Sequence, residues 1–140
     1  MRYLVDTNFI SEVSKPAPNA GVVEWANAGS PLDLAVSTIT LGEIQKGISV
    51  LPISQKRTTL EAWLEATIRT QFRGRVLSVD ENVALEWGRL AAAAKSQGRP
   101  LATADGLILA TAAVHALTIV TRNERDFIDR GVPVLNPWTE

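Results

Sequence analysis

Four acidic side chains stand at positions where a folded chain could use them for chemistry. Asp6 directly follows a short apolar run, and Glu43 is expected in the first turn of the helix that follows a second run. Asp105 opens the helical stretch before a later apolar run, and Asp126 follows that run by five residues. Because the carboxyl ends of parallel strands share one edge of a sheet, we expect the four carboxylates to meet there.

Such a cluster needs a positive partner. Two carboxylates about 5 Å apart, at an effective dielectric near 20, repel each other by about 3 kcal/mol. A hard divalent cation, Mg²⁺ or Mn²⁺, takes oxygen ligands and would relieve the repulsion. Such an ion lowers the pKa of bound water and holds phosphate oxygens, which indicates phosphodiester hydrolysis. Small polar side chains accompany the acids at the same positions: Thr7, Asn8, Ser37, Thr121 and Asn123.

Each acid also has a purely structural explanation. Asp6 would cap the helix that follows it, and Glu43 would complete a capping box with Thr40. Asp105 would interact with a helix dipole, and Asp126 would be a surface acid. The structural explanation is adequate for any one of them, but the convergence of all four at one edge favours chemistry.

Five short apolar runs are the predicted strands, and they lack the alternation of a half-exposed sheet. They lie at 3–5, 34–36, 76–79, 118–121 and 132–135. Helical spacing separates them, with Ser54, Asp80 and Thr103 as predicted N-caps and a helix from 81 to about 97. The predicted order is β-α-β-α-α-β-α-α-β-α-β. It indicates an α/β fold, a three-layer sandwich with a mostly parallel five-stranded sheet, in a single domain over residues 1–140.

The amino-acid composition excludes several other classes of function. The 140 residues carry 14 Lys and Arg against 15 Asp and Glu, which excludes a strongly basic nucleic-acid coat. The absence of cysteine excludes disulfides and thiolate chemistry, and the single histidine excludes a pair of imidazoles. Asp6 interrupts the apolar N-terminus, so we expect no signal peptide and a cytoplasmic protein. The apolar stretch 101–120 is interpreted as a buried helix and strand.

Several other residues have structural interpretations. We expect His115 to be a core histidine on the face of a helix that carries Leu107 and Val114. A basic bias between positions 56 and 75 is interleaved with Glu61 and Glu65, which is typical of a solvated helix face. The four tryptophans are expected in the core or at an interface. Arg122 and Arg125 lie nearer the acids and are candidates to contact phosphate.

Four segments in order give the sequence its resemblance to a known family. They are Leu4-Val5-Asp6-Thr7-Asn8, Ile39-Thr40-Leu41-Gly42-Glu43-Ile44, Ala104-Asp105-Gly106-Leu107-Ile108 and Thr121-Arg122-Asn123. Together they resemble the PIN-domain ribonuclease toxins of the VapC family. The ending Leu135-Asn136-Pro137-Trp138 makes the chain most similar to the FitB branch. The glycine-rich loops of nucleotide-binding folds and the hydrolase nucleophile elbow do not occur.

The resemblance implies a Mg²⁺- or Mn²⁺-dependent endoribonuclease that acts as a toxin and is neutralised by a small DNA-binding antitoxin. It implies that Asp6 and Asp105 are metal ligands and that Glu43 is a third catalytic acid. FitB-like proteins place the fourth acid where this chain has Asn123, whereas other members place it where the chain has Asp126. We assign the role to Asp126. The family also implies a homodimer.

Two alternatives remain open from the sequence. The acidic edge could bind a basic peptide without turnover, which would make the protein a binding module. It could also serve a metal-dependent phosphatase. The segment Asp6-Thr7-Asn8 is similar to the D-x-D of aspartyl-phosphate phosphatases, but Asn8 replaces the aspartate that would be the general acid.

Overall fold

A five-stranded sheet of parallel strands organises the chain. The structure, a computed structural model, describes residues 1–139 except for the side chain of Thr67. The strands are β1 (Tyr3–Val5), β2 (Leu34–Ser37), β3 (Val76–Leu77), β4 (Thr118–Val120) and β5 (Val134–Leu135), in the spatial order β3-β2-β1-β4-β5. Each neighbouring pair is parallel. The predicted fold class is therefore confirmed, and the described sheet is wholly parallel.

Helices cover both faces of the sheet. They are α1 (Thr7–Val13), α2 (Ala20–Ala28), α3 (Thr38–Ser49), α4 (Gln55–Trp63), α5 (Arg69–Gln71), α6 (Glu81–Ser96) and α7 (Thr103–His115). A π-helical segment, Leu64–Ile68, joins α4 to α5. Among the described helices, none combines the length and the apolar character that a membrane crossing requires.

Alternate side chains of the central strands build two separate cores. Val5 of β1 packs with Phe9, Ile44 and Phe72 on the face covered by α1 to α5. Leu4, its neighbour, packs with Leu109 and the rest of the second cluster on the face covered by α7. Successive residues of a strand point to opposite faces of the sheet, so each face has its own core. Helices packed on both cores produce the predicted three layers.

The connections differ from the predicted order in two places. Two helices, α1 and α2, join β1 to β2, where we expected one. Between β4 and β5 we expected a helix, but the structure has only a 3₁₀ turn, Glu124–Asp126. Asp129 and Gly131, at φ 60° and 85°, have left-handed backbone conformations, which do not continue a right-handed helix in this crossover.

The first residues of the helices can be compared with the predicted N-caps. The side chains of Asp6, Ser54 and Asp80 accept hydrogen bonds from backbone N–H groups three residues on, which confirms all three caps. Two predictions are wrong. Helix α7 begins at Thr103 itself, so Ala102 is the cap residue. Ser37 caps α3, and the expected capping box with Thr40 does not form, because α3 already starts at Thr38 and Thr40 lies inside its first turn.

Helix α7 is buried on more than the one face predicted for it. The residues from Ile108 to Ala112 are all buried, because α7 lies between the sheet and α6. His115 is only half-buried in the last turn, so the prediction of a core histidine is wrong. At Gly106 an added Cβ would lie 2.8 Å from the indole of Trp87 on α6. Glycine therefore lets α6 approach the helix turn that carries Asp105.

Candidate active site

Asp6 owes its position to the register of the two central strands. Val5 of β1 pairs with Val120 of β4, so the residues that follow them, Asp6 and Thr121, are neighbours at the carboxyl edge. The Thr121 hydroxyl donates to Asp6 Oδ2 at 2.5 Å, and the backbone N–H of Phe9 donates to Oδ1 at 3.0 Å. Asp6 is only 7% exposed. Both carboxylate oxygens are thus fixed before any ligand arrives.

Burial dominates the electrostatics of Asp6. It raises the pKa of the Asp6 carboxyl above its ordinary value. Hydrogen bonds from Thr121 and from the backbone N–H groups of Phe9 and Asn8 lower the pKa in part, and the nearby charge of Glu43 raises it further. The net effect of these contributions raises the pKa, so the Asp6 carboxyl is costly to ionise in the folded protein without a positive partner.

Glu43 reaches the same edge from α3. The Thr7 hydroxyl, one residue after Asp6, donates to Glu43 Oε1 at 3.0 Å. Glu43 lies in the second turn of α3 rather than the first, because the helix starts at Thr38. That extra turn lets a helix that follows β2 place its carboxylate beside the residues that follow β1.

Asp105 interacts with the other acids through space. It lies in the first turn of α7, and its pKa is raised above its ordinary value, chiefly by burial. The charges of Asp126 and Glu43 raise this pKa further, and the guanidinium of Arg130 lowers it in part. Asp126 itself is exposed on the 3₁₀ turn after β4. The structure therefore brings the four sequence-predicted acids into one electrostatic group.

The group is open rather than a closed cage. Within residues 1–139, no set of three or more Asp, Glu or His side chains is arranged to hold a metal ion. Mg²⁺ is commonly bound through one or two carboxylates and keeps several of its waters, so it does not require a closed set of protein ligands. The donors, all carboxylate oxygens, are of the type that Mg²⁺ and Mn²⁺ prefer.

Comparison with known proteins gives the family. A PIN domain model matches residues 3–132 of this chain. The chain belongs to the PIN-domain family. It is 41% identical to Toxin FitB of Neisseria gonorrhoeae over 135 residues, which cover 96% of this chain and 97% of the relative. It is 35% identical to the VapC ribonuclease Y4jK of Sinorhizobium fredii, with 96% of each chain covered.

A solved structure agrees with this PIN-domain assignment. FitAB bound to an IR36 DNA fragment contains a chain with a TM-score of 0.90 and 39% identity to this one. The match covers 97% of this chain and 95% of that chain. The expected resemblance to the VapC family and its FitB branch is confirmed.

Two polar features of this PIN domain were not predicted from the sequence. Arg130 lies close enough to Asp105 and Asp126 to interact with both charges. Its spacing of four residues from Asp126 was the available signal. Glu12, with a side chain 8% exposed, accepts hydrogen bonds from Trp138 Nε1 and from the Asn19 backbone N–H, both at 3.1 Å. No local pattern joins positions 12 and 138.

Basic residues of the PIN domain mostly serve the helix surface, as expected. Arg57 pairs with Glu61 at 3.1 Å, and Arg69 pairs with Glu65 at 3.4 Å, each across one helical turn. Arg122 and Arg125 are exposed on the turn that carries Asp126. These two guanidinium groups remain the candidates for contact with phosphate.

Proposed function

We propose that this PIN domain, as a single domain over residues 1–140, is a metal-dependent endoribonuclease and the toxin of a toxin–antitoxin pair. The carrying observation is that Glu43 interacts with both Asp6 and Asp105, and Asp126 with Asp105, so that repulsion links the four carboxylates at the carboxyl edge of the sheet. The kinship with a named toxin and a named ribonuclease supports the same reading.

In this proposal Asp6 and Asp105 hold Mg²⁺ or Mn²⁺. The ion, when bound, would lower the pKa of a water molecule and compensate negative charge at the phosphate. Thr121 and the N–H of Phe9 keep the Asp6 carboxylate oriented toward that role. Glu43, fixed by Thr7, and Asp126 are the groups that orient the attacking water or accept its proton. No side chain is the nucleophile, and the water attacks in line with the leaving oxygen.

Removal of divalent metal tests this activity. We expect cleavage of a labelled RNA in Mn²⁺, complete loss of cleavage in excess EDTA, and recovery when Mn²⁺ is returned. Ca²⁺ should support cleavage poorly, because its looser coordination does not hold in-line geometry. Gel analysis of the RNA products is the measurement.

Three outcomes would contradict the proposal. Full RNA cleavage in excess EDTA would remove the metal from the mechanism. Hydrolysis of p-nitrophenyl phosphate with intact RNA would indicate a phosphatase instead. Binding of a basic peptide without cleavage of either substrate would indicate the binding module.

We also propose an antitoxin as partner, with a tail that places an Arg or Lys among the acids. The structure offers such a partner a groove of about 470 Å³ beside α1. Apolar side chains line much of it: Phe9, Ile10, Val13, Trp63, Ile68 and Phe72. Helix α1 begins at the acid Asp6 and ends at Val13 in the groove, so one peptide could occupy both regions.

A variant in this groove should separate antitoxin binding from folding. Val13 is 43% exposed, so Val13→Asp should leave the fold intact and weaken the complex about 10-fold or more. Leu85→Asp, at a 56% exposed position on α6, is the matched control and should bind normally. Calorimetry with the product of the neighbouring reading frame, as the candidate antitoxin, is the measurement. Equal affinities for both variants would place the partner elsewhere.

A homodimer is the last part of the proposal. Large apolar side chains remain exposed on the described surface beyond the groove, including Leu32, Val50 and Ile53. Light scattering should give twice the 15.1 kDa mass of one chain. A monomer at high concentration would contradict the dimer and leave the nuclease proposal untouched.

A further inference from the structure

The side chain of Arg130 ties together the two segments that carry Asp105 and Asp126. Its Nε donates to the backbone oxygen of Asp126 at 3.1 Å. Its Nη1 donates to the backbone oxygen of Arg99 at 3.0 Å. Arg99 belongs to the linker between α6 and α7, and α7 presents Asp105 in its first turn. One planar guanidinium thus bridges both sides of the acidic site.

The side chain of Arg99 reinforces this bridge in the opposite direction. Its Nη2 donates to the backbone oxygen of Ile128 at 3.2 Å. The α6–α7 linker and the turn after β4 therefore exchange two hydrogen bonds from two different arginines. Each bond joins residues about thirty positions apart, so neither is a local consequence of helix formation.

The backbone around Arg130 is held in an uncommon conformation. Asp129 has a φ of 60°, a left-handed value that is unfavourable for a residue with a side chain, and Gly131 has a φ of 85°. Such a conformation persists when surrounding contacts determine it. Here it directs the Arg130 side chain back onto the turn that precedes it, where its Nε meets the Asp126 carbonyl.

Asp126 depends on such a contact for a defined position. It ends a three-residue 3₁₀ turn, and its side chain is exposed, so packing alone does not fix it. We propose that Arg130 is a positioning residue that holds Asp126 at a fixed place relative to Asp105. This inference rests on the proposed nuclease function. The charge of Arg130 acts in the same sense, since it attracts both carboxylates.

Three variants test the positioning role. Arg130→Ala should lower kcat for RNA cleavage by about 10- to 100-fold and speed amide hydrogen exchange in the turn Glu124–Asp126, with KM for RNA nearly unchanged. Arg130→Lys keeps the charge but loses the two-pronged geometry, so it should show an intermediate loss. Arg89→Ala, on the surface of α6 where Arg89 pairs with Glu86, is the matched control and should match wild type.

The outcomes separate this inference from its alternatives. An unchanged kcat and an unchanged amide exchange rate of the turn Glu124–Asp126 in Arg130→Ala would overturn it. A raised KM with unchanged kcat would also overturn it, because it would place Arg130 in contact with RNA. If Arg130→Ala fails to fold, Arg130→Lys and Arg99→Ala decide, and both should lower kcat. Wild-type protein that cleaves no RNA would contradict the proposed function, while amide hydrogen exchange of the turn in the same variants would still decide the role of Arg130.

Discussion

Asp105→Asn should abolish RNA cleavage and at the same time stabilise the metal-free protein. We expect activity to fall about 100-fold or more, because the variant removes a carboxylate assigned to the metal. In EDTA the melting temperature should rise by about 3 °C, from up to about 1 kcal/mol of relieved burial and repulsion after solvent screening. Thermal melts and RNA cleavage on the same preparation provide both measurements.

The hydrogen bonds of Asp6 make Asp6→Asn a different case. Cleavage should be lost equally, and asparagine still provides an oxygen for the helix cap at Phe9 N. Its amide nitrogen cannot accept the hydroxyl proton of Thr121, so relief of the buried charge is offset. We therefore expect the melting temperature in EDTA to rank Asp105→Asn first and Asp6→Asn at or below wild type. Glu24→Gln, at an exposed position on α2, is the control for both RNA cleavage and melting temperature.

The pH dependence of stability follows from the raised pKa of Asp105. A raised pKa means that the folded protein binds this proton more tightly than the unfolded chain does. The destabilisation is full above the folded pKa and fades as the pH falls toward the ordinary value of 3.8. Asp105→Asn should remove this contribution and flatten the metal-free profile in that window. If both variants lose several degrees in EDTA at neutral pH, these carboxylates are structural and the site assignment is wrong.

Loss of the Trp138 side chain should destabilise the protein through a contact that lies away from the acids. Trp138 packs against the core beneath α1, and its Nε1 donates to the carboxylate of Glu12. Trp138→Ala should lower stability by about 2–3 kcal/mol, or roughly 6–10 °C, because it removes a large half-buried ring and a hydrogen bond. Trp138→Phe should lose less, since it keeps most of the ring. Thermal denaturation is the measurement.

Glu12 provides an independent check on this contact. Hydrogen bonds from Trp138 and the Asn19 N–H are the main causes that lower the pKa of the Glu12 carboxyl. Its stabilisation is therefore full above the ordinary value of 4.5 and is lost as the pH falls through the lower folded pKa. Glu12→Ala and Trp138→Phe should be non-additive because both remove the same hydrogen bond.

Trp25→Phe is the matched control for the Trp138 contact. The indole of Trp25 makes edge contacts with Tyr3 and Phe9, so this variant changes a ring without touching Glu12. It should be additive with Glu12→Ala. Additivity of Trp138→Phe with Glu12→Ala as well would show that the hydrogen bond contributes nothing to stability.

Local chemistry in the sequence determined most of the elements. Short apolar runs define the five strands because buried parallel strands have apolar residues on both faces. Ser54 and Asp80 mark helix starts, since a side-chain oxygen at that position satisfies an otherwise unpaired N–H. The four acids could be identified because each stands near a strand end or a helix start, and such positions gather at one edge of a parallel sheet.

Tertiary structure alone decided how the acids are held and coupled. The strand order and register place Thr121 beside Asp6, across 115 positions of sequence. The bridge from Arg130 to the Arg99 carbonyl and the contact of Trp138 with Glu12 likewise join distant residues. A local pattern cannot predict such contacts, because they depend on which strands pair and how the connecting turns close. Sequence therefore determined which groups could do chemistry, and packing decided which neighbours fix their positions and shift their pKa values.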